Sequence, residues 1–269
     1  ITYAWDFGDG SPVDNNINPS HTFTASGAGP ESFTVTLTVT DDDLQTDQTT
    51  ILISLNNTPP VITSTSLDAV HSFSMASQTN QALTAVVTDA EHGPGQLSYA
   101  WQTYLFHDNH NHPEPVDINA STSNILSPVG CDGVLYFYRI YLTVTDDAGL
   151  STSLFRDIYP DCNGPIARSD TFTFLPGQAN VLNVLGNDLG DGGTIDPGTV
   201  NILQQPANGT AAVNAGTGEI TYTHDDSYST EDKIIYEVEN TGGDLSNPAL
   251  VVLTRGGPPT AVITSPANN

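Results

Sequence analysis

Two short motifs each occur twice in this sequence, and this repetition limits the fold more than any other feature. Leu-Thr-Val-Thr-Asp-Asp stands at residues 37–42 and again at residues 142–147. Tyr-Ala-Trp stands at residues 3–5 and again at residues 99–101. Repetition of this kind indicates a chain of small modules rather than one large domain.

Proline-rich joints divide the chain into three modules. These run over residues 1–57, 58–164 and 165–257, and a Pro-Pro pair shortly before Val-Ile-Thr-Ser occurs at the first joint and again after residue 257. Residues 258–269 are therefore predicted to be a linker and the start of a next module. The sequence starts within a strand pattern, so we expect the first module to lack its N-terminal part. Proline stiffens such linkers, which favours a rod over a flexible string.

Apolar and polar residues alternate with a period of two in most of the chain. From Ser32 to Thr40, large apolar residues alternate with Ser and Thr, which gives one buried and one solvent-exposed face. Similar patterns, enriched in β-branched and aromatic residues, occur at residues 51–55, 136–145, 219–223, 234–238 and 250–253. Short strands between Gly, Pro, Asn and Asp clusters predict an all-β fold of tandem immunoglobulin-like β-sandwiches.

The charge of the chain limits its partners. It has 31 acidic and 5 basic residues, a formal net charge of −26. Such a surface repels nucleic acid and anionic lipid, and no stretch reaches the length of a membrane span, so we expect neither nucleic-acid binding nor membrane insertion. An excess of carboxylates favours Ca²⁺, which takes oxygen ligands, although solubility is the alternative role for any single acid.

Two cysteines, Cys131 and Cys162, flank a predicted hairpin turn at residues 146–149. Two strands that fold back at this turn would bring the cysteines within the distance that a disulfide requires. A disulfide persists in an oxidising compartment, so we predict an extracellular protein, either secreted or on the cell surface. The alternatives are two free thiols or a metal-binding pair.

The first module carries the most specific family resemblance. Trp-Asp-Phe-Gly-Asp-Gly at residues 5–10, His-Thr-Phe at 21–23 and Leu-Thr-Val-Thr-Asp at 37–41 resemble the PKD domain, an immunoglobulin-like sandwich of bacterial extracellular proteins. The second module resembles this family more loosely, because it keeps Tyr-Ala-Trp and Leu-Thr-Val-Thr-Asp but continues after Trp101 with Gln-Thr-Tyr. It is also similar to modules with a histidine-rich segment that are attached to secreted bacterial sugar-dehydrogenase-like proteins.

The third module is similar to the cadherin-like repeats of bacterial adhesins. The resemblance rests on Val-Leu-Gly-Asn-Asp at residues 184–188, Gly-Glu-Ile-Thr-Tyr-Thr at 218–223 and the segment 232–238. These families are mostly spacers, adhesion modules and enzyme accessories.

Several acidic residues are candidate calcium ligands. Asp188 and Asp191 have the short spacing and glycine turns that wrap a calcium ion, and the cadherin-like resemblance adds Asn187 and Asp170. The PKD resemblance implies ligands at Asp89, Glu91 and Asp146 in the second module and at Asp41 and Asp43 in the first. The alternatives are plain Asx turns and solvated acidic loops, and the latter is the preferred interpretation for residues 41–43.

A single loop of the second module concentrates His107, His110, His112 and Glu114. Imidazoles that converge with a carboxylate would suit Zn²⁺ or Cu²⁺, and a His-x-His spacing places two side chains on one face of a strand. His71 and His92 are the candidates for a remote ligand. The alternative is a polar loop whose histidines bond to the backbone or to one another.

No catalytic motif is evident, because Gly-x-Ser-x-Gly and Gly-x-Gly-x-x-Gly elements are absent, so we predict that this segment is not an enzyme. Two interpretations remain. The first is a calcium-stiffened spacer or adhesion array whose partners are neighbouring modules or another surface protein. The second is a polysaccharide-binding accessory module with stacking platforms at Trp101, Tyr104, Tyr136 and Tyr138, although alternating aromatics on a strand are more often core.

Overall fold

The structure is a computed structural model that describes residues 1–108 and 110–257. The predicted start of a next module near residue 258 lies outside the described residues. Strands dominate the described part of the chain, and its single helical element is a 3₁₀ turn at Pro94–Gln96. That turn is too short to span a membrane, and the described residues contain no other helix. The all-β prediction is confirmed, and every sheet takes its strands from one of the three predicted modules.

Module 1, residues 1–57, contributes one antiparallel sheet in the order β1-β2-β3. Its strands are β1 (Thr2–Asp6), β2 (Glu31–Thr40) and β3 (Thr46–Leu55). Phe33 and Val35 alternate along β2 and are buried, as the period of two predicts. Within residues 1–57 this is the one sheet, so module 1 shows one layer of the predicted sandwich.

The Trp-Asp-Phe-Gly-Asp-Gly motif of module 1 forms a tight turn with a structural role. Phe7 stacks on His21 with ring centroids 3.8 Å apart, and the Nε2 atom of His21 lies 2.7 Å from Asp9 Oδ2. Gly8 has a φ of 72°, and a Cβ atom there would lie 2.5 Å from the carbonyl oxygen of Thr34. Only glycine fits a position that combines a positive φ with such close backbone contact.

Module 2, residues 58–164, is a complete two-sheet sandwich. Its strands are β4 (Val61–Thr65), β5 (Ser72–Phe73), β6 (Thr79–Thr88), β7 (Leu97–His107), β8 (His110–Pro113), β9 (Ser121–Leu126), β10 (Tyr136–Asp146) and β11 (Ser151–Pro160). One sheet has the order β4-β6-β9, and the other has the order β5-β11-β10-β7-β8. The core between them includes Trp101, Ile140 and Leu142, which are all at most 1% exposed.

Module 3, residues 165–257, is a second complete sandwich. Its strands are β12 (Asp170–Phe174), β13 (Ala179–Leu182), β14 (Ile195–Gln204), β15 (Gly209–Val213), β16 (Ile220–His224), β17 (Glu231–Asn240) and β18 (Ala249–Arg255). The sheets have the orders β12-β18-β17-β14 and β13-β16-β15. The first strand, β12, pairs in parallel with the last strand, β18, over its whole length from Asp170 to Phe174. Tyr222, Tyr236 and Val251 are fully buried between the sheets.

The junction between modules 2 and 3 is packed with apolar side chains. Phe137 lies on the outer face of β10, yet it is only 1% exposed because it belongs to a cluster with Tyr159 and, from module 3, Ile166 and Ile235. The disulfide between Cys131 and Cys162 forms beside this cluster, with Cα atoms 5.5 Å apart, which confirms the predicted pairing. The two modules are therefore held together by burial of these apolar side chains as well as by the proline-stiffened linker.

Candidate functional site

Buried carboxylates meet where modules 1 and 2 join, in what we call the Asp89 cluster (Asp89, His92 and Asp146). Asp89 follows the end of β6 and Asp146 ends β10, so the topology of module 2 places both at its end near module 1. The candidate ligand atoms of the three residues lie within 4.8 Å of one another. The side chains of Asp89 and Asp146 are completely buried. The structure therefore brings together Asp89 and Asp146, as the sequence predicts.

The hydrogen bonds of the Asp89 cluster leave acceptor oxygens free. Asp89 Oδ1 accepts hydrogen bonds from the amides of Glu91 (2.9 Å) and His92 (2.8 Å), whereas its Oδ2 atom is buried without a hydrogen-bond partner. Burial alone would raise the pKa of Asp89, but these hydrogen bonds outweigh it and hold the pKa below the usual value. Asn57 donates a 2.9 Å hydrogen bond to Asp146 Oδ2, and its own Oδ1 is buried without a partner.

Glu91 lies beside this cluster and fixes the linker between the modules. Its Oε2 atom accepts hydrogen bonds from the amide and the hydroxyl of Thr58, at 3.0 and 2.8 Å. Glu91 is exposed, and its carboxylate is not among the three groups that converge. The predicted ligand Glu91 thus ties the linker to module 2 through Thr58.

A second set of buried acceptors, the Asp170 cluster (Ser169, Asp170, Asn187 and Asp188), lies where module 3 follows module 2. The Ser169 Oγ, Asp170 Oδ2 and Asn187 Oδ1 atoms are buried without hydrogen-bond partners. Asp188 is better satisfied, because it accepts hydrogen bonds from the amide of Arg168 (2.7 Å) and the hydroxyl of Tyr236 (2.9 Å). Tyr159 of module 2 accepts a 2.7 Å hydrogen bond from the amide of Ser169, which connects the cluster to the junction.

The electrostatics of the Asp170 cluster favour either protons or a cation. Burial, reinforced by the charge of Asp188, raises the pKa of Asp170 to about 8. Burial also raises the pKa of Asp188, to about 6. Two carboxylates in such a setting are costly to ionise without a compensating positive charge, and a bound divalent cation would supply it.

Two sets of predicted calcium ligands do not reach such a cluster. Asp191 is exposed in the loop between β13 and β14, and it is not among the buried oxygens of the Asp170 cluster. Asp41 Oδ1 accepts hydrogen bonds from the amides of Asp43 (2.9 Å) and Gln45 (2.8 Å), and this turn is exposed. The preferred interpretation of residues 41–43 as a solvated turn agrees with this geometry. Asp191 stays a predicted ligand, and its side chain is exposed.

The histidine-rich loop brings its three imidazoles together but not its carboxylate. His107, His110 and His112 converge at the hairpin of β7 and β8. Glu114 follows the end of β8 and points elsewhere, because its carboxylate accepts a hydrogen bond from Asn124 of β9. His92 belongs to the Asp89 cluster at the opposite end of β7, so it cannot act as the remote ligand. The prediction of Glu114 as a fourth ligand is wrong.

The predicted sugar-stacking residues lie in different environments. Trp101 and Tyr138 are 1% and 2% exposed and form part of the module 2 core, so the prediction that they stack on sugars is wrong. Tyr136 is half-buried and stacks on His107, with ring centroids 5.4 Å apart. Tyr104 is half-buried on the outer face of the five-stranded sheet. It lines a shallow hollow with residues that include Gln102, Asn111 and Tyr141.

Sequence reasoning missed two residues of these sites and misplaced a third. Asn57 and Tyr141 contact the predicted residues but were not predicted as a ligand or platform, whereas His92 was considered only as a remote ligand of the histidine-rich loop. For Tyr141 a signal existed, since the period of two places it on the face of β10 opposite Tyr138. For Asn57 and His92 there was none, because their roles depend on where the linker and the β6 end meet.

Family comparisons agree with this architecture. Residues 1–53 match the family model of the PKD domain, and residues 163–254 match that of the Bacterial Ig domain. The predicted resemblance to PKD and immunoglobulin-like modules is confirmed. No curated protein matches the chain in sequence. Both families are typical of extracellular proteins, which together with the disulfide indicates an extracellular module of the spacer or adhesion type.

The solved structures that match this chain include cadherin ectodomains. The human Desmocollin-1 ectodomain is 14% identical, covers 96% of this chain and has a TM-score of 0.26, and this chain spans 55% of its length. Drosophila N-cadherin EC1-3 is 11% identical over 94% of this chain and 89% of its own, with a TM-score of 0.29. The Bacteroides ovatus glucan-utilisation protein SGBP-B, in complex with a mixed-linkage heptasaccharide, is 14% identical over 74% of this chain and 48% of its own, with a TM-score of 0.23.

Proposed function

We propose that this chain is a non-catalytic spacer and adhesion array of a secreted or cell-surface protein, and that calcium ions stiffen its two junctions. The observation that carries the proposal is the set of buried oxygen atoms without hydrogen-bond partners at both junctions. Asp89 Oδ2 and Asn57 Oδ1 lie at the first junction, and Asp170 Oδ2 and Asn187 Oδ1 at the second.

Calcium fits these atoms on chemical grounds. A buried polar atom without a partner costs free energy, and a carboxylate oxygen costs more than a neutral one. Ca²⁺ takes six to eight oxygen ligands from carboxylates, amide carbonyls and water, and the two clusters supply carboxylate and amide oxygens. The net charge of −26 adds a favourable long-range attraction for cations.

An ion at the first junction would act on the linker as well as on module 2. Asn57 belongs to the segment between the modules, whereas Asp89 and Asp146 belong to module 2. A cation shared by these three side chains would hold the linker in one position, and the Thr58–Glu91 hydrogen bonds would support it. In this proposal, each module binds the neighbouring module of the same chain.

Thermal melting and limited proteolysis of the chain in calcium or in EDTA test this proposal. We expect calcium to raise the melting temperature and to slow cleavage at residues 56–60 and 162–168, since a ligand that binds only the folded state stabilises it. Asp89→Asn should remove the protection at the first junction only, and Asp170→Asn at the second only. Identical melts and cleavage rates in calcium and EDTA would contradict the calcium part.

The hollow beside Tyr104 supports a second candidate, a polysaccharide-binding accessory module. Tyr104 and Tyr141 meet edge to face with centroids 5.8 Å apart, and Gln102 and Asn111 supply amide groups nearby. Aromatic rings flanked by amides can stack on and hydrogen-bond to sugars. Retention on a panel of immobilised glycans, lost in Tyr104→Ala and Tyr141→Ala, would support this function, whereas no retention on any glycan would exclude it for that panel.

A further inference from the structure

Three histidines share one face of the hairpin formed by β7 and β8. His107 is the last residue of β7 and pairs across the hairpin with His110, while His112 pairs with Leu105. Residues 110 and 112 lie on the same face of β8 because successive side chains alternate. The hairpin register therefore gathers three imidazoles from a segment of six residues at its free end.

The nitrogen atoms of these imidazoles already lie at near-ligand spacing. The Nε2 atoms of His107 and His112 are 3.0 Å apart, and candidate ligand nitrogens of all three residues lie within 4.8 Å of one another. Two nitrogen ligands of a tetrahedral zinc ion, with Zn–N bonds of about 2.0–2.1 Å, lie about 3.3 Å apart. Small side-chain rotations would thus bring all three nitrogens to one ion.

Neighbouring groups hold His107 in this orientation. Tyr136 pairs with His107 across β10 and β7, and the two rings stack with an interplanar angle of 20°. Asp108 Oδ2 lies 3.8 Å from His107 Nδ1, on the opposite side of the ring from Nε2. This separation is too long for a hydrogen bond, so the stack with Tyr136 is the contact that orients the ring. The ring is therefore oriented with Nε2 towards His112.

The donor set distinguishes this cluster from the junction clusters. It offers three imidazole nitrogens and no converging carboxylate, because Glu114 bonds to Asn124 instead. Imidazole suits late first-row metals such as zinc and copper, whereas calcium prefers oxygen. His110 and His112 are exposed, so an ion bound here would keep a position open to water or to a donor from another molecule.

We propose that His107, His110 and His112 form a three-histidine site for a divalent transition-metal ion, Zn²⁺ or Cu²⁺, at the exposed tip of the β7–β8 hairpin. The proposal is independent of the calcium sites, which use other residues at the ends of the module. It adds a second class of metal to the array and places it at the end of module 2 that faces module 3, since Phe106, next to His107, packs against Phe137 of the junction cluster.

Metal titration of the chain, prepared without a histidine tag, tests the proposal. Calorimetry with Zn²⁺ is carried out in millimolar calcium, so that calcium competes for the Asp89 and Asp170 clusters. We expect one zinc ion per chain, with affinity reduced more than about tenfold in His110→Ala and His112→Ala, since each removes one of three ligands. His71→Ala, outside the cluster, serves as the matched control and should bind as the parent does.

Copper provides a second measurement that reports the ligands directly. With one equivalent of Cu²⁺, the electron paramagnetic resonance spectrum should show nitrogen hyperfine coupling from imidazoles, and the coupling should weaken in His112→Ala. Melting curves confirm that the variants are folded, which the exposure of residues 110 and 112 favours. Unchanged affinity in the double variant His110→Ala/His112→Ala, or loss of zinc binding in His92→Asn instead, would overturn the proposal.

Discussion

The two junctions of this chain are held by different kinds of contact. At the junction between modules 2 and 3, Phe137 and Tyr159 pack on Ile166 and Ile235, and a disulfide lies beside them. At the junction between modules 1 and 2, the contacts are mainly polar, and the side chain of Leu52 against Gly149 is an apolar exception. Apolar packing persists in any buffer, whereas buried carboxylates depend on ions and pH. The first junction lacks comparable apolar packing, so it should depend on ions and pH more than the second, where this packing persists beside the Asp170 cluster.

The repeated hairpin shows how this difference arises from one motif. Asp41 and Asp146 end the same Leu-Thr-Val-Thr-Asp segment, and each accepts a hydrogen bond from the amide four residues later. Asp41 is exposed, whereas Asp146 is 4% exposed because Asp89, His92 and Asn57 surround it. The motif specifies the turn, and its surroundings decide whether the turn is also a candidate ion site.

Removal of the disulfide should produce the largest change. The two cysteines are 31 residues apart in sequence, and closing a loop of this length stabilises the folded state by about 3–4 kcal/mol in the chain-entropy model. Replacing both Cys131 and Cys162 by Ala should lower the free energy of unfolding of module 2 by this amount, as measured by denaturant titration. An unchanged midpoint would show that the covalent link contributes little to the second junction.

Phe137→Ala should weaken the apolar packing of the second junction, which the first junction lacks. Loss of this buried ring leaves a cavity between the modules and should destabilise them by about 3 kcal/mol. We expect faster proteolysis between residues 160 and 168. Phe155→Ala is the matched control, because its ring is 45% exposed on the next strand, and its effect should be about 1 kcal/mol or less. Equal effects from the two variants would argue against a packed junction.

Asp146→Asn and Asp41→Asn compare the two hairpins directly. A hundredfold excess of calcium over its dissociation constant would stabilise the parent by about 2.7 kcal/mol for each site. Asp146→Asn should abolish the part of this gain that belongs to the first junction, while Asp41→Asn should retain it. Melting temperatures with and without calcium measure both. Loss of the calcium response in Asp41→Asn would place the ion in module 1 instead.

The pH dependence of the free energy of unfolding in EDTA should report the protonation of the Asp170 cluster. The pKa of Asp170, about 8, and that of Asp188, about 6, lie above the ordinary value of 3.8. The folded state thus binds protons that the unfolded state has released. The stability from these groups is complete below about pH 4 and is lost as the pH rises through 6 to 8.

Asp170→Asn should flatten the slope of the free energy of unfolding against pH, and calcium should flatten the same slope in the parent. Asp191→Asn is the control, because Asp191 is exposed and should leave the slope unchanged. The effect is graded over several pH units, so it is measured as a slope rather than at a single pH. A slope that is the same in Asp170→Asn and the parent would contradict the assignment.

Much of the fold follows from the sequence, because alternation fixes which residues share a face. The pattern at residues 136–145 predicts strand β10, and the strand is observed at Tyr136–Asp146. Alternation does not say which face meets the opposite sheet, so Tyr138 was assigned to a binding surface although it lies in the core. The Asp89 cluster was only partly predictable, because Asn57 reaches it through the path of the linker.

Modules 1 and 2 share one further sequence repeat. Pro-Val-Asp-x-Asn occurs at residues 12–16 and again at residues 115–119. In the structure, Asp14 exchanges two backbone hydrogen bonds with Trp5, and Asp117 does the same with Trp101. The two modules therefore share this bridge as well as the hairpin, although only module 2 shows a second sheet.

The parallel pairing of β12 and β18 determines how module 3 would respond to mechanical load. The chain enters the module along β12 and leaves it along β18, and the two strands lie side by side in the same direction. Tension between these ends would slide one strand past the other, so their hydrogen bonds would be strained together in shear. A hairpin pulled from its open end breaks its bonds one after another, so the arrangement in module 3 should yield only at a higher force.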